Sequence, residues 1–247
     1  MTWVHGNELS WPIAFQKILP QITIDTGTVY FIIANPKALE KNIRYVEKNM
    51  NRCFSPIISG SSYEEERVQE IMPFLQEADY LLDIHNTTNP QSKAFLISEH
   101  QSVSCFFPID TVISGIDLLH SWGSDGYMNS LNKIWLCIEC WSISDAKAPI
   151  IAEQSIINFL QYTGNIAQAP RSFLGQTFIC FDYIYTTVTD LFILTESFCD
   201  FDYIKKDQII WYDGDIPISA SIDSVILFAH NRKKKWEEAF VLWTIIS

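Results

Sequence analysis

His5 and Glu8 stand three residues apart in His5-Gly6-Asn7-Glu8, where the short apolar stretch Met1-Thr2-Trp3-Val4 gives way to a helical pattern. An imidazole and a carboxylate at that spacing can face one point in space. Zinc takes such ligands at about 2.0–2.2 Å, and a catalytic zinc uses three protein ligands with a fourth position for water. A second imidazole, His85, ends the apolar run Leu81-Leu82-Asp83-Ile84-His85 just before the polar Asn86-Thr87-Thr88. Strands of open α/β sheets end this way at their active edge. Asp83 lies on the same strand face as His85. Taken singly, H-x-x-E is mostly surface or capping chemistry, and a strand-end histidine is mostly satisfied by a backbone carbonyl. Together the three donors form a candidate metal set.

Further polar groups fall where structure is being built. Glu139 interrupts Ile134-Trp135-Leu136-Cys137-Ile138-Glu139-Cys140. A carboxylate in an apolar strand is costly to bury unless paired, metal-linked or protonated, and a raised pKa there suits a general base acting on water. Arg44 follows Asn35-Pro36-Lys37-Ala38, and Asn51-Arg52 follows shortly after. Arginine forks bind carboxylates bidentately and stabilise oxyanions, although an isolated arginine in an acidic protein is usually a surface ion pair. Cys137 and Cys140 form a C-x-x-C, but in a strand that spacing sends the side chains to opposite faces, which disfavours a metal or redox role.

These residues need a scaffold. Through about residue 162, apolar β-rich runs alternate with helical patterns, the rhythm of an α/β domain with a buried sheet. Strands are predicted at 28–34, 79–85, 102–107 and 134–140. Helices are predicted at 8–19, at 37–48 after Asn35-Pro36, at 62–77 with Ser62 as cap and Glu65 three residues on, and at 149–162. Thr163-Gly164-Asn165 breaks the rhythm. Beyond it the chain is strand-like, with 177–188 dense in β-formers, turns at Asp213-Gly214-Asp215 and Ser221-Ile222-Asp223, and an equivocal 235–241. The expected organisation is an α/β domain over 1–163 and a small all-β domain over 164–247.

Composition narrows the function classes. The 247 residues are 48% hydrophobic and 14% aromatic, enough for a large core. Lys and Arg number 17 against 29 Asp and Glu, a formal charge of −12, which disfavours nucleic acid and anionic membrane surfaces as partners. The basic run Arg232-Lys233-Lys234-Lys235 is followed by acidic residues and reads first as a solvated turn. No apolar run is long enough to span a bilayer, and the six scattered cysteines suit reduced core thiols, so a cytoplasmic location is expected.

In chain order, the segments H-G-N-E, N-P-x-A-x-x-x-N-x-R-Y with x-x-N-R-x-F, D-x-H-N-T-T and a glutamate in a late strand resemble the aspartoacylase and succinylglutamate desuccinylase family, a branch of the zinc carboxypeptidase superfamily. The resemblance extends to a C-terminal β domain through Phe201-Asp202-Tyr203-Ile204-Lys205-Lys206 and Glu237-Glu238-Ala239-Phe240. It implies a zinc-carboxypeptidase-like mixed sheet flanked by helices and one Zn2+ per chain held by His5, Glu8 and His85. It further implies Glu139 as proton carrier, Arg44 on the scissile carbonyl, and Asn51 and Arg52 on the carboxylate of a small N-acyl amino acid. Asn86, Tyr127 and Lys234 complete the substrate-binding candidates, Lys234 standing roughly where aspartoacylase places a tyrosine. A homo-oligomer is compatible with this family.

The departures bear on substrate. Only four residues precede His5 where the family has a longer approach; Asn49 replaces an aspartate; and Trp141 replaces a glycine two residues after the glutamate. The segment 124–130 also lacks the arginine by which aspartoacylase reads an acidic side chain. Aspartate specificity is therefore not encoded. The alternatives are a carboxypeptidase-like hydrolase of small peptides and a homologue that binds zinc and ligand without turnover.

Overall fold

The computed structural model describes residues 1–8, 10–55, 57, 60–87, 92–116, 122–236 and 238–246, without the side chains of 10–13. Thr88 of the D-x-H-N-T-T motif and Glu237 lie outside these residues. The chain divides into two compact units, Met1–Pro90 with Ala94–Gln176, and Gln91–Lys93 with Thr177–Ser247. The division falls between Gln176 and Thr177, whereas the sequence pattern changes at 163/164.

The first unit contains helices α1 (Ser10–Ile18), α2 (Pro36–Lys41), α3 (Tyr63–Glu77), α4 (Gln101–Ser104), α5 (Ser124–Ser130) and α6 (Ala148–Tyr162). Its strands are β1 (Tyr80–Thr87), β2 (Phe95–Ile97), β3 (Thr111–Ser114) and β4 (Ile134–Ser142), in sheet order β1-β4-β2-β3. The sheet is mixed: β1 runs parallel to β4 and β2 to β3, while β2 and β4 are antiparallel. Residues 1–3 lie along the free side of β1, where Thr2 makes parallel bridges to both Ile84 and Ile33. Seven of the eight β1 residues are buried, as a strand covered on both faces requires.

Three expectations are corrected. The 102–107 run is the short helix α4 and its following turn; Val103 and Phe107 are buried four residues apart, a helical spacing that its β-rich composition concealed. Helix 37–48 stops at Lys41, where Asn42 enters the left-handed region at φ 51° and donates its backbone N–H to Ala38 and Leu39 carbonyls. Segment 28–34 forms no strand beyond the single bridge at Ile33. The short elements β2, β3 and α5 were not anticipated. The long helix α3 has the expected capping box, Ser62 and Glu65 each bonding the other's backbone N–H.

The second unit is all β. Strands β5 (Thr177–Thr186), β7 (Asp202–Ile204), β10 (Ser224–Leu227) and β11 (Glu238–Ile245) form an antiparallel sheet ordered β5-β11-β10-β7. Strands β6 (Phe192–Leu194), β8 (Ile209–Asp213) and β9 (Ile216–Ser219) form a second one. The equivocal 235–241 region resolves as the start of β11. Tyr185, Phe192, Trp211 and Phe240 stack into its core. Among the described residues, no helix is long and apolar enough to cross a membrane.

Candidate active site

His5, Glu8 and His85 converge. Their donor atoms lie within 4.8 Å of one another, and all three side chains are buried. Gly6 makes this possible: a Cβ there would lie 2.1 Å from the Ala38 carbonyl carbon, so only glycine lets the turn carrying His5 and Glu8 press against the backbone of α2. Asn35 caps α2 by accepting from Ala38 N–H and donates to the Glu64 carboxylate.

Both histidines turn Nδ1 toward Glu8, His5 at 2.7 Å from Oε1 and His85 at 3.2 Å from Oε2. The far side of each ring is held by an acceptor. His5 Nε2 lies 3.0 Å from Asn49 Oδ1, and that atom must be oxygen because it also accepts the backbone N–H of Asn51. Asn49 therefore keeps a proton on His5 Nε2 and turns Nδ1 toward Glu8. His85 Nε2 lies 3.4 Å from Asp83 Oδ2, an ion-pair distance that leaves this ring nitrogen without a hydrogen bond. A ring nitrogen this close to a carboxylate oxygen needs a cation between them, its own proton or a metal ion that takes the proton's place. Two imidazoles and a carboxylate so arranged form a donor set that fits a divalent metal ion, because ligand atoms about 2.1 Å from a tetrahedral ion lie roughly 3.4 Å apart.

The charges follow from this geometry. Burial alone would raise the Glu8 carboxyl, but His85 and His5 together hold it down at about 2. Burial alone would lower His85, but Asp83 and Glu8 lift it well above the ordinary imidazole range. Asp83 is lowered against its burial by His85, with help from Ser124, whose hydroxyl donates to it. The Asn86 backbone N–H donates to Glu8 Oε2, fixing the carboxylate from a third direction.

Glu139 is the register partner of His85 across the parallel β1–β4 pair, so the two side chains leave the same face of the sheet one strand apart. Arg44 places its guanidinium 3.9 Å from Glu8 Oε1 and is partly exposed. Asn51 accepts from Ser124 N–H, and the exposed Arg52 donates to the Asn51 carbonyl. Asn86 is buried, with its amide N–H bonded to the Trp141 carbonyl. Trp141, in the place of the expected glycine, has φ 93°, a conformation that favours glycine, and lies where the β1–β4 register shifts. Tyr127 is buried, at 4% exposed, and its hydroxyl accepts from Gln76 of α3. Lys234 lies in the second unit, exposed, with its carbonyl bonded by the Thr187 hydroxyl.

One organising residue was missed. Glu64 is fully buried and accepts from Asn35 Nδ2 and from the backbone N–H groups of Val46, Glu47 and Lys48. Burial would raise its pKa, but these donors hold it below the usual carboxylate range. It ties down the loop that carries Arg44 and leads to Asn49.

Residues 2–104 match the model of the succinylglutamate desuccinylase/aspartoacylase catalytic domain. Over these residues the chain is similar to the aspartoacylase and succinylglutamate desuccinylase family. Among individual members it is 33% identical over 106 residues to an N-acyl-aromatic-L-amino acid amidohydrolase (carboxylate-forming) of Xenopus tropicalis, a match covering 38% of this chain and 34% of that one. It is 27% identical over 182 residues to a probable aspartoacylase of a Nostoc species, covering 64% and 60%. These matches span less than two thirds of the relatives' lengths. In fold alone, the similarity runs through the whole chain. A succinylglutamate desuccinylase from Vibrio cholerae superposes with a TM-score of 0.81 at 16% identity, covering 99% of this chain and 79% of that one. A succinylglutamate desuccinylase/aspartoacylase from Rhodobacter sphaeroides gives 0.75 at 16% identity, covering 100% and 84%.

Proposed function

We propose that this protein is a zinc-dependent hydrolase of the amide bond of small N-acyl amino acids. The observation that carries the reading is the buried His5, Glu8 and His85 triad with Glu139 in register beside His85. His5, Glu8 and His85 would hold the ion through Nδ1, carboxylate and Nδ1. Zinc bound there would polarise the scissile carbonyl and make a water nucleophilic near neutral pH.

Asn51 and Arg52 hold the substrate carboxylate, which fixes the amide relative to the metal cluster. Glu139 takes a proton from the attacking water as its oxygen bonds the carbonyl carbon, then delivers that proton to the amide nitrogen as the C–N bond breaks. Arg44 donates to the carbonyl oxygen as negative charge grows on it. Asn86 restrains the Trp141 backbone at the end of the Glu139 strand. The products are a carboxylic acid and a free amino acid. The family relatives named for aspartoacylase and for N-acyl-aromatic amino acid hydrolysis support this reaction class. Lys234 is not part of the proposed set.

The absence of an arginine in 124–130 favours neutral or aromatic amino acids over aspartate. The test is hydrolysis of a panel of acetyl and succinyl derivatives of acidic, neutral and aromatic amino acids, before and after zinc is stripped and restored. Zinc-dependent turnover with neutral or aromatic substrates at least equal to N-acetylaspartate is expected. Strong preference for N-acetylaspartate overturns the specificity, and turnover unaffected by stripping overturns the zinc.

A further inference from the structure

Ser124 opens α5, and the position before it, Gly123, makes no side-chain cap. A serine here could use its hydroxyl locally. Instead it leaves the helix and donates across to Asp83 Oδ2 on β1, while its backbone N–H donates to Asn51 Oδ1 at 3.4 Å. Ser124 and Asp83 are almost wholly buried, at 2% and 1% exposed, so water does not compete for these bonds.

The same short segment is stitched twice to the loop that carries Asn51 and Arg52. Phe54 N–H donates to the Trp122 carbonyl at 3.0 Å. Gly123 approaches Asn51 so closely that a Cβ there would lie 3.2 Å from Asn51 Oδ1. On its other side the segment reaches Asp83, whose Oδ2 lies 3.4 Å from His85 Nε2. The connection therefore runs Asn51, Ser124, Asp83, His85, with Ser124 joining the clamp loop to the strand that carries His85.

Resting on the function proposed above, we infer that Ser124 is a positioning residue: it locks the Asp83 carboxylate so that His85 presents Nδ1 to the metal, and it couples that orientation to the loop holding Asn51 and Arg52. Among the described residues Asp83 Oδ1 makes no hydrogen bond, and the Ser124 hydroxyl donates to Oδ2, the oxygen that faces His85. Partners that orient a metal-bound histidine typically contribute 10- to 100-fold in metal affinity.

The experiment measures zinc affinity by competition with a chelating dye for the wild type, Ser124→Ala, Ser124→Thr, Asp83→Asn and the Ser124→Ala/Asp83→Asn double variant. Thermal melting of the metal-free forms shows that each folds. Ser124→Ala is expected to weaken zinc binding by about 10-fold or more, with Ser124→Thr within about 3-fold of wild type because it keeps the hydroxyl. In the Asp83→Asn background, Ser124→Ala should add little, because the two act in series. Unchanged zinc affinity in Ser124→Ala, or an equal loss with Asp83 already replaced, overturns the positioning role while leaving the zinc reading standing. A wild type that takes up no zinc overturns both.

Discussion

Each of the two cluster histidines is presented by a different neighbour, Asn49 for His5 and Asp83 for His85, and their difference in charge has a measurable outcome. His85 is raised in the metal-free protein, so its share of metal-free stability is present below the ordinary imidazole pKa of about 6.5 and is lost as pH rises through its folded value. Zinc must displace that proton. Its apparent affinity is therefore expected to climb with pH, by about tenfold per unit while His85 stays protonated, as measured by dye competition between about pH 6 and 8. A flat profile contradicts the assignment of His85 as ligand. The converging residues His5, Glu8 and His85 were legible in the sequence because metal chemistry restricts residue type and spacing. Their ring orientation was not, because Asn49 lies 44 residues from His5 in the chain. The partner of Tyr127 was equally hidden, because Gln76, which donates to its hydroxyl, lies 51 residues away in the chain.

At the scale of elements, two residues hold the site's supports in place. Gly6 seats the His5–Glu8 turn on α2, so Gly6→Ala should drive the two backbones apart and abolish zinc uptake even where the chain still folds; wild-type zinc content in that variant contradicts the packing argument. Glu64 gathers three backbone N–H groups of the 46–48 loop, and Glu64→Gln keeps the shape while removing the charge that accepts them. We expect a loss of about 2–4 kcal/mol in denaturant unfolding, with faster amide exchange at Val46, Glu47 and Lys48. Because the Glu64 pKa is depressed, its contribution is present above the unfolded carboxyl value of about 4.3 and is lost as pH falls through the folded one. The long helices and the central strands were legible from periodicity and caps. The short elements were not: α4 hid in a β-rich run, and α2 ends early because the loop after it is held by Glu64, a tertiary partner that local pattern does not reveal.

At the scale of the whole molecule, the chain divides into two compact units, the second beginning at Thr177 and taking in Gln91–Lys93. In the second unit Phe240 stacks on Tyr185 with rings 5.4 Å apart and an interplanar angle of 7°, so Phe240→Ala should destabilise that unit by about 3–5 kcal/mol in denaturant unfolding. A change under about 1 kcal/mol would show that the aromatic stack is not its core. The similarity to the aspartoacylase and succinylglutamate desuccinylase family and the converging donor set support the proposed chemistry, in which Glu139 is the proton carrier. The most direct test is therefore Glu139→Gln, with metal content and N-acyl amino acid hydrolysis measured on the same sample. Zinc near one per chain, with turnover reduced by about a hundredfold or more, is the expected result; zinc retained with turnover near wild type would contradict the account.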